Sequence, residues 1–311
     1  MAGSVRALPR AQQGAQPQRL LTTLLGDYWF QRSEHLPSGA LVTLLEEFEI
    51  TAPSARAAVR RVADRGLLTT SRQGRVVAYG LPPGGQEVLV THMRRLFAFG
   101  ASAPEWDGKW TMVAFSVPEG DRDARRALRD GLRRHHFAPL FDAVWVSPHD
   151  RGSEILALAD GLGIDSVTVL RGDELSRATI EGAVPGSFEL DTLADRYRAF
   201  IARYRPRWQA MDPSTASPAQ ALRLRTEIVT EWRVFPGLDP DLPAELLPTG
   251  WPRDEARAMV VDVYNSLGAR AELRFREMVA RFDPELAALA GHHGFAESAV
   301  AVQQAPVAAG P

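Results

Sequence analysis

The sequence predicts a multidomain α+β protein, on three observations. Three amphipathic helical segments run directly into two β-type runs. Strand-like and helix-like segments then alternate, and the last third is helical apart from one proline-punctuated stretch. At 311 residues, with 45% apolar and 24% charged side chains, the chain suits two or three globular domains and excludes a wholly disordered or fibrous one.

Residues 1–18 and 296–311 are rich in Ala, Gln, Pro or Gly without periodicity and read as flexible tails. In residues 19–29, Leu20, Leu21, Leu24, Leu25 and Tyr28 mark one helical face; in 39–48, Leu41, Leu44, Leu45 and Phe48 repeat it. Thr51 can serve as N-cap of a third helix, whose inward face is Ala55, Ala58, Val59 and Val62 and whose end is Gly66. Residues 67–72 and 75–81 form two β-type runs joined at Gln73-Gly74, a hairpin pattern. Three helices and a hairpin over 19–92 predict a winged helix-turn-helix.

After a linking helix at 86–100, the central domain of residues 93–205 reads as a β-α-β-α-β alternation: strands at 110–117, 139–147 and 166–171, and helices at 122–136 and 153–162. That order predicts a ferredoxin-like α/β domain. A helix carrying Leu193, Tyr197, Phe200, Ile201 and Tyr204 leads out of it. Residues 218–290 are then mainly helical, with 219–235 and 253–282 separated by the proline-rich stretch 236–252.

The net charge of −2 hides an asymmetry: residues 1–92 hold 10 basic and 7 acidic side chains, 93–200 hold 14 and 17, and 201–311 hold 12 and 14. Between Thr51 and Arg75 there are six arginines (Arg56, Arg60, Arg61, Arg65, Arg72, Arg75) against Asp64 alone, a local +5. Such a cluster on a helix and hairpin fits phosphate binding. Arg56 and Arg60 lie at i and i+4, with Arg61 an angular neighbour, so all three point away from the alanine and valine face, toward a major groove. Thr51, Ser54, Arg56, Arg60 and Arg61 on the helix and Arg72 and Arg75 on the hairpin are the DNA-binding candidates, although solvated surface arginines would have the same pattern. Arginine also supplies 35 of the 36 basic residues, Lys109 being the exception, a bias that base composition explains as readily as function.

The absence of cysteine excludes disulfides, thiolate nucleophiles and cysteine-ligated zinc or iron-sulfur clusters. No run of 18 apolar residues and no secretory pattern is present, so a cytoplasmic location is expected. His135-His136 and His292-His293 are adjacent pairs, about 100° apart on a helix, and with His35, His92 and His149 they form no metal-binding spacing. Phosphate-loop and nucleophile-elbow motifs are lacking. No catalytic residue, metal or cofactor is expected, and the protein reads as a non-enzyme. The alternative is a CoA-thioester-processing or nucleic-acid-cleaving enzyme whose winged helix is an accessory interaction module. In predicted topology the central region resembles the small CRISPR-associated nucleases, which place a metal-binding aspartate at the end of their first strand. Here Ser116-Val117 occupies that end, which favours a dimerising or spacer module.

Over residues 20–281 the chain resembles the PaaX family, bacterial repressors of phenylacetic acid degradation genes and their relatives. In the first region the resemblance rests on Leu24-Leu25-Gly26-Asp27-Tyr28, Thr51, Arg56, Arg61, Gly66-Leu67-Leu68, Gly74-Arg75 and Tyr79. In the middle it rests on Trp106-Asp107-Gly108-Lys109-Trp110, Phe115-Ser116-Val117-Pro118-Glu119, 125–132 and Val144-Trp145-Val146-Ser147-Pro148. The most distinctive part is Glu231-Trp232-Arg233 followed by Phe235-Pro236-Gly237-Leu238-Asp239-Pro240-Asp241-Leu242-Pro243 and Leu246-Leu247-Pro248-Thr249-Gly250-Trp251-Pro252. Arg253 departs from the glycine common at that position in relatives, and Gly237 stands where a bulkier residue is expected.

The resemblance implies a homodimeric repressor on an inverted-repeat operator of double-stranded DNA, released by an aryl-CoA thioester typified by phenylacetyl-CoA. Such an effector brings phosphates for arginines and an acyl group for aromatic walls, which makes Trp232, Arg233, Trp251 and Tyr264 the effector-binding candidates. Trp232 and Trp251 equally suit core positions that fix the proline-rich turn, and Asp239 suits a cap within that turn.

Overall fold

A computed structural model describes residues 16–102, 105–173 and 185–295. In chain order the elements are α1 (Gln16–Tyr28), β1 (Leu36–Pro37), α2 (Ser38–Glu46), α3 (Ala52–Asp64), β2 (Thr69–Gln73), β3 (Val76–Gly80), α4 (Pro83–Ala98), β4 (Trp110–Phe115), α5 (Arg122–Arg134), β5 (Ala138–Phe141), β6 (Val144–Ser147), α6 (Gly152–Gly161), β7 (Val167–Gly172), α7 (Leu190–Gln209), α8 (Pro218–Trp232), α9 (Arg253–Ala280) and α10 (Pro284–Leu289). The chain is thus mixed α and β, with two small antiparallel sheets among the described residues. Packing groups it by proximity rather than chain order. One unit holds the described residues up to Phe99 with Phe200–Val234 and those from Glu255 onward; the other holds Gly100–Ala199 and Phe235–Asp254.

In the first unit, α1 starts at Gln16, earlier than its leucine periodicity predicts, with Pro17 in the first turn where its missing N–H costs nothing. Periodicity predicts one buried face, yet Thr22, Thr23, Gly26 and Asp27 are buried with the leucines. The second face is polar because it meets polar partners: Thr230 Oγ1 donates to Thr23 Oγ1 at 3.0 Å, and Tyr264 Oη donates to Asp27 Oδ1 at 2.9 Å. Helix α1 packs on α3 and α8.

Strands β2 and β3 pair from Thr69↔Gly80 to Gln73↔Val76, and β1 pairs with the other edge of β3, giving the order β1-β3-β2. The turn is Gly74-Arg75, one residue later than expected, because Gly74 takes φ +59° and so supplies the left-handed first position of the turn. Two-residue β1 is too short to leave an alternation in the sequence. It positions His35, whose Nδ1 lies 2.8 Å from Ser71 Oγ, across the ladder.

The second unit runs β4-α5-β5-β6-α6-β7, with sheet order β5-β6-β4-β7 and every pairing antiparallel. The single strand expected at 139–147 is two strands around an Asp142-Ala143 turn that contains neither Gly nor Pro. Arg129 holds this turn by donating to the Asp142 carbonyl at 3.0 Å and carboxylate at 2.6 Å. One sheet face buries Val113, Phe115 and Trp145 against Leu128, Leu132 and Ile155 of α5 and α6. The opposite face buries Trp110, Ala138 and Val146 beneath Phe188 and Leu242. The proline-rich stretch is therefore the cover of the sheet's second face, and its loss of helical periodicity follows from that job.

Space above Gly80 is filled by His35: a Cβ on Gly80 would stand 2.1 Å from the imidazole Cδ2. Gly80→Ala is expected to destabilise the protein by about 1–3 kcal/mol, the range for overpacking, and to cost far less in a His35→Ala background. Urea unfolding of the four proteins measures this coupling.

Candidate nucleic-acid interface

Helix α3 is set by its buried row. Ala55, Ala58, Val59 and Val62 are each at most 1% exposed, and their small volumes let α1 and α2 approach closely. The opposite side carries Arg56, Arg60 and Arg61, all exposed, with Ser54 half-buried near the helix start. Thr51 occupies the N-cap position in an extended conformation but its side chain makes no capping hydrogen bond, so its exposed hydroxyl is a spare donor at the end of the helix that also carries the positive dipole. The helix ends where Gly66 adopts φ +70° and Leu67 N returns to Val62 O at 3.2 Å. Arg72 lies exposed on β2, with Arg75 exposed in the turn.

No side chain of Arg56, Arg60, Arg61, Arg65, Arg72 or Arg75 has an ion-pair or hydrogen-bond partner among the described residues. The +5 cluster is thus left to solvent and counterions, the state from which phosphate binding gains counterion-release entropy. The structure brings the seven candidate DNA-binding residues onto one helix and the hairpin next to it in the chain.

The four effector candidates do not come together within one unit. Trp232 is fully buried, with ring centroids 5.5 Å from Phe99 and 6.0 Å from Phe200. Tyr264 is fully buried under the Arg225 guanidinium, 3.6 Å above its ring. Arg233 donates to Thr23 Oγ1 at 2.5 Å, and burial, aided by nearby Arg19 and opposed by Asp27, brings its pKa down to about 10. These three belong to the first unit; Trp251 belongs to the second, edge-on to Tyr197 at 6.0 Å.

Sequence reasoning passed over three residues that organise this side of the molecule. Arg225 is 0% exposed and lies 3.5 Å from Asp27 Oδ2, while donating to the carbonyls of Tyr264 at 2.9 Å and His293 at 2.8 Å. Burial pushes the Asp27 carboxyl up from its ordinary range, against the pull of Arg225 and the Tyr264 hydroxyl. Glu47, 8% exposed, receives Arg274 at 2.8 Å and Arg223 at 3.5 Å. An acid inside the apolar run Leu24–Tyr28 is the one available signal.

Three family models match the chain: "PaaX-like protein" over residues 16–83, "PaaX protein central Cas2-like domain" over 103–184 and "PaaX-like protein C-terminal domain" over 188–277. The chain belongs to the PaaX family. Among curated PaaX relatives, the transcriptional repressor PaaX of Escherichia coli (strain K12) is 27% identical over 259 residues, 81% of this chain and 80% of that protein. A solved structure, uncharacterized protein Rv0674 from Mycobacterium tuberculosis, shares the fold with TM-score 0.52 and 22% identity, covering 84% of this chain and 97% of its own. The first PaaX match contains all seven candidate DNA-binding residues. In the Cas2-like region β4 ends at Phe115, and the Ser116 amide donates to the Ser166 carbonyl at 2.9 Å. No group of three or more His, Cys, Asp or Glu suited to a metal occurs among the described residues, and none of their helices is long and apolar enough to cross a membrane.

Two histidines beside these buried groups set an acid limit on stability. Burial, with Arg233 and Arg95, brings His92 down to about 3; burial, with Arg225 and His292, brings His293 down to about 4, both from 6.5. Each stays neutral in the folded chain while the unfolded chain takes up a proton. Stability is therefore expected to fall as pH drops from about 6.5 toward 4, by up to about 1.4 kcal/mol per pH unit for each histidine. His92→Leu should flatten this dependence in unfolding measurements across that window.

Proposed function

We propose that this PaaX-family chain is a ligand-responsive, DNA-binding transcriptional repressor. On this reading α1–α3 with β2 and β3 form a winged helix-turn-helix within residues 19–92, α3 enters the major groove, and Arg72 and Arg75 grip the backbone from the wing. The observation that carries it is the unpaired, exposed arginine cluster on α3 and the hairpin, in a chain whose curated relative is a repressor. That relative also favours a regulator over an enzyme. The order β4-α5-β5-β6-α6-β7 supports a ferredoxin-like central domain, and the region 218–290, which includes the proline-rich turn, is assigned to sensing and dimerisation. The protein acts as a cytoplasmic homodimer on an inverted repeat, without a cofactor, and an aryl-CoA or related acyl-CoA thioester releases it.

A gel-shift titration on the DNA upstream of its own gene, with excess unrelated competitor and with or without phenylacetyl-CoA, tests the reading. Selective binding that the thioester relieves is expected. If each monomer neutralises about 3 to 5 phosphates, the dimer's affinity should fall with log salt at a slope of about −5 to −9. Arg56→Ala or Arg60→Ala should cost about 1–3 kcal/mol where the side chain reads a base; unchanged affinity in both variants contradicts the placement of α3.

A further inference from the structure

The second unit contains a cleft of about 340 Å³, bounded by the end of α5, the start of β5, the N-terminal part of α7 and the turn 237–240. That volume sits at the lower end of the range for small-molecule sites, about 300–1,000 Å³. Its apolar side is made by Pro139, Phe188 and Leu238, and Leu238 is left 44% exposed. Two guanidinium groups stand on the rim. Arg196 is exposed and has no partner among the described residues; Arg133 has only a 3.4 Å contact to exposed Asp130 and lies 5.2 Å over the Trp145 ring. Glu189 lines the same rim, so the charge there is two cations against one free carboxylate.

The remaining acid, Asp239, is spent on holding the turn. Its carboxylate accepts the Tyr197 hydroxyl at 2.6 Å and the Asp241 amide at 2.7 Å, with Arg253 at 3.8 Å. Its own carbonyl accepts His136 Nδ1 at 3.0 Å, and the next carbonyl, of Pro240, accepts His149 Nε2 at 2.9 Å. Tyr197 stacks on Phe235 at 4.2 Å. The turn is therefore fixed before any ligand arrives, which lowers the ordering cost of binding. Above it the space is open at Gly237, where an added Cβ meets nothing within 4 Å.

Resting on the effector reading above for its ligand, we propose that this cleft is the effector site, and that it takes an organic anion with a compact apolar group. The anionic end pairs with Arg133 and Arg196, while the apolar group lies on Pro139, Phe188 and Leu238. A free arylacetic acid has this chemistry; its CoA thioester, whose carboxyl is a neutral thioester, meets it only if the phosphates at the far end of the pantetheine arm reach Arg133 and Arg196.

Isothermal titration of the full chain with phenylacetyl-CoA, CoA and phenylacetate separates these sources. The variants are Gly237→Phe, which adds a ring to the cleft lining at a position where an added Cβ meets nothing within 4 Å, and Arg196→Ala on the surface, each checked for an unchanged circular dichroism spectrum. Binding of the thioester or the free acid, weakened about tenfold or more in both variants, is the expected result. Should Gly237→Phe fail to fold, Arg196→Ala alone decides. Equal binding in wild type and variants overturns the site; if the thioester still releases wild-type protein from DNA, the repressor reading stands without it. Absence of binding by all three probes overturns the cleft's ligand class. CoA binding as tightly as its thioester does so too, because the apolar wall is then unused.

Discussion

Two carboxylates buried in the N-terminal helical region, Asp27 and Glu47, are met by arginines of the distant α8 and α9, and the first unit is built around these encounters. Asp27 faces Arg225 and the Tyr264 hydroxyl; Glu47 faces Arg223 and Arg274. A fully desolvated guanidinium is tolerated only if its surroundings replace water, and Arg225 has two backbone carbonyls, one carboxylate and the faces of Tyr264 and Tyr28 at 3.6 and 5.2 Å. Such pairs add little net stability over apolar packing, but removing one partner is costly, so they fix which helix meets which.

This constraint has a functional consequence under the proposed reading. Helix α1 packs on α3, the groove-reading helix, and on α8. Helix α1, which carries Asp27, thus touches both the helix proposed to read the groove and the helix that supplies Arg225. The second unit shows the same device on a smaller scale, with Asp239 gathering Tyr197, Asp241 and Arg253 to pin the proline-rich turn. Arg253, 3% exposed and 2.8 Å from Asp241, ties the start of α9 to that turn.

Much of the fold was legible wherever one face of an element is apolar. The inward row of α3 and the leucines of α1 obey their period, and the arginines on the outer side of α3 follow from the same geometry. What was not legible depends on partners far along the chain. The polar second face of α1 reads as solvent-facing until Thr230, Arg225 and Tyr264 are placed against it. The Asp142-Ala143 turn lacks Gly and Pro and is held by Arg129 from α5. The joining of residues before Phe99 to those beyond Glu255, and the return of Phe235–Asp254 to cover a sheet face, leave no local pattern at all. The effector candidates were chosen for residue type alone, and type does not tell a buried Trp232 from a cleft wall.

Asp27 and Arg225 tie the N-terminal helices to the C-terminal ones within the first unit. A double-mutant cycle of Asp27→Asn and Arg225→Met, read by urea unfolding, tests this tie most directly. Each single change should cost about 3–5 kcal/mol by leaving its partner unpaired, and the double variant should be less destabilised than their sum by about 2 kcal/mol or more. Costs that add to within about 0.5 kcal/mol would show that the two residues act independently and that this pair does not join the helices.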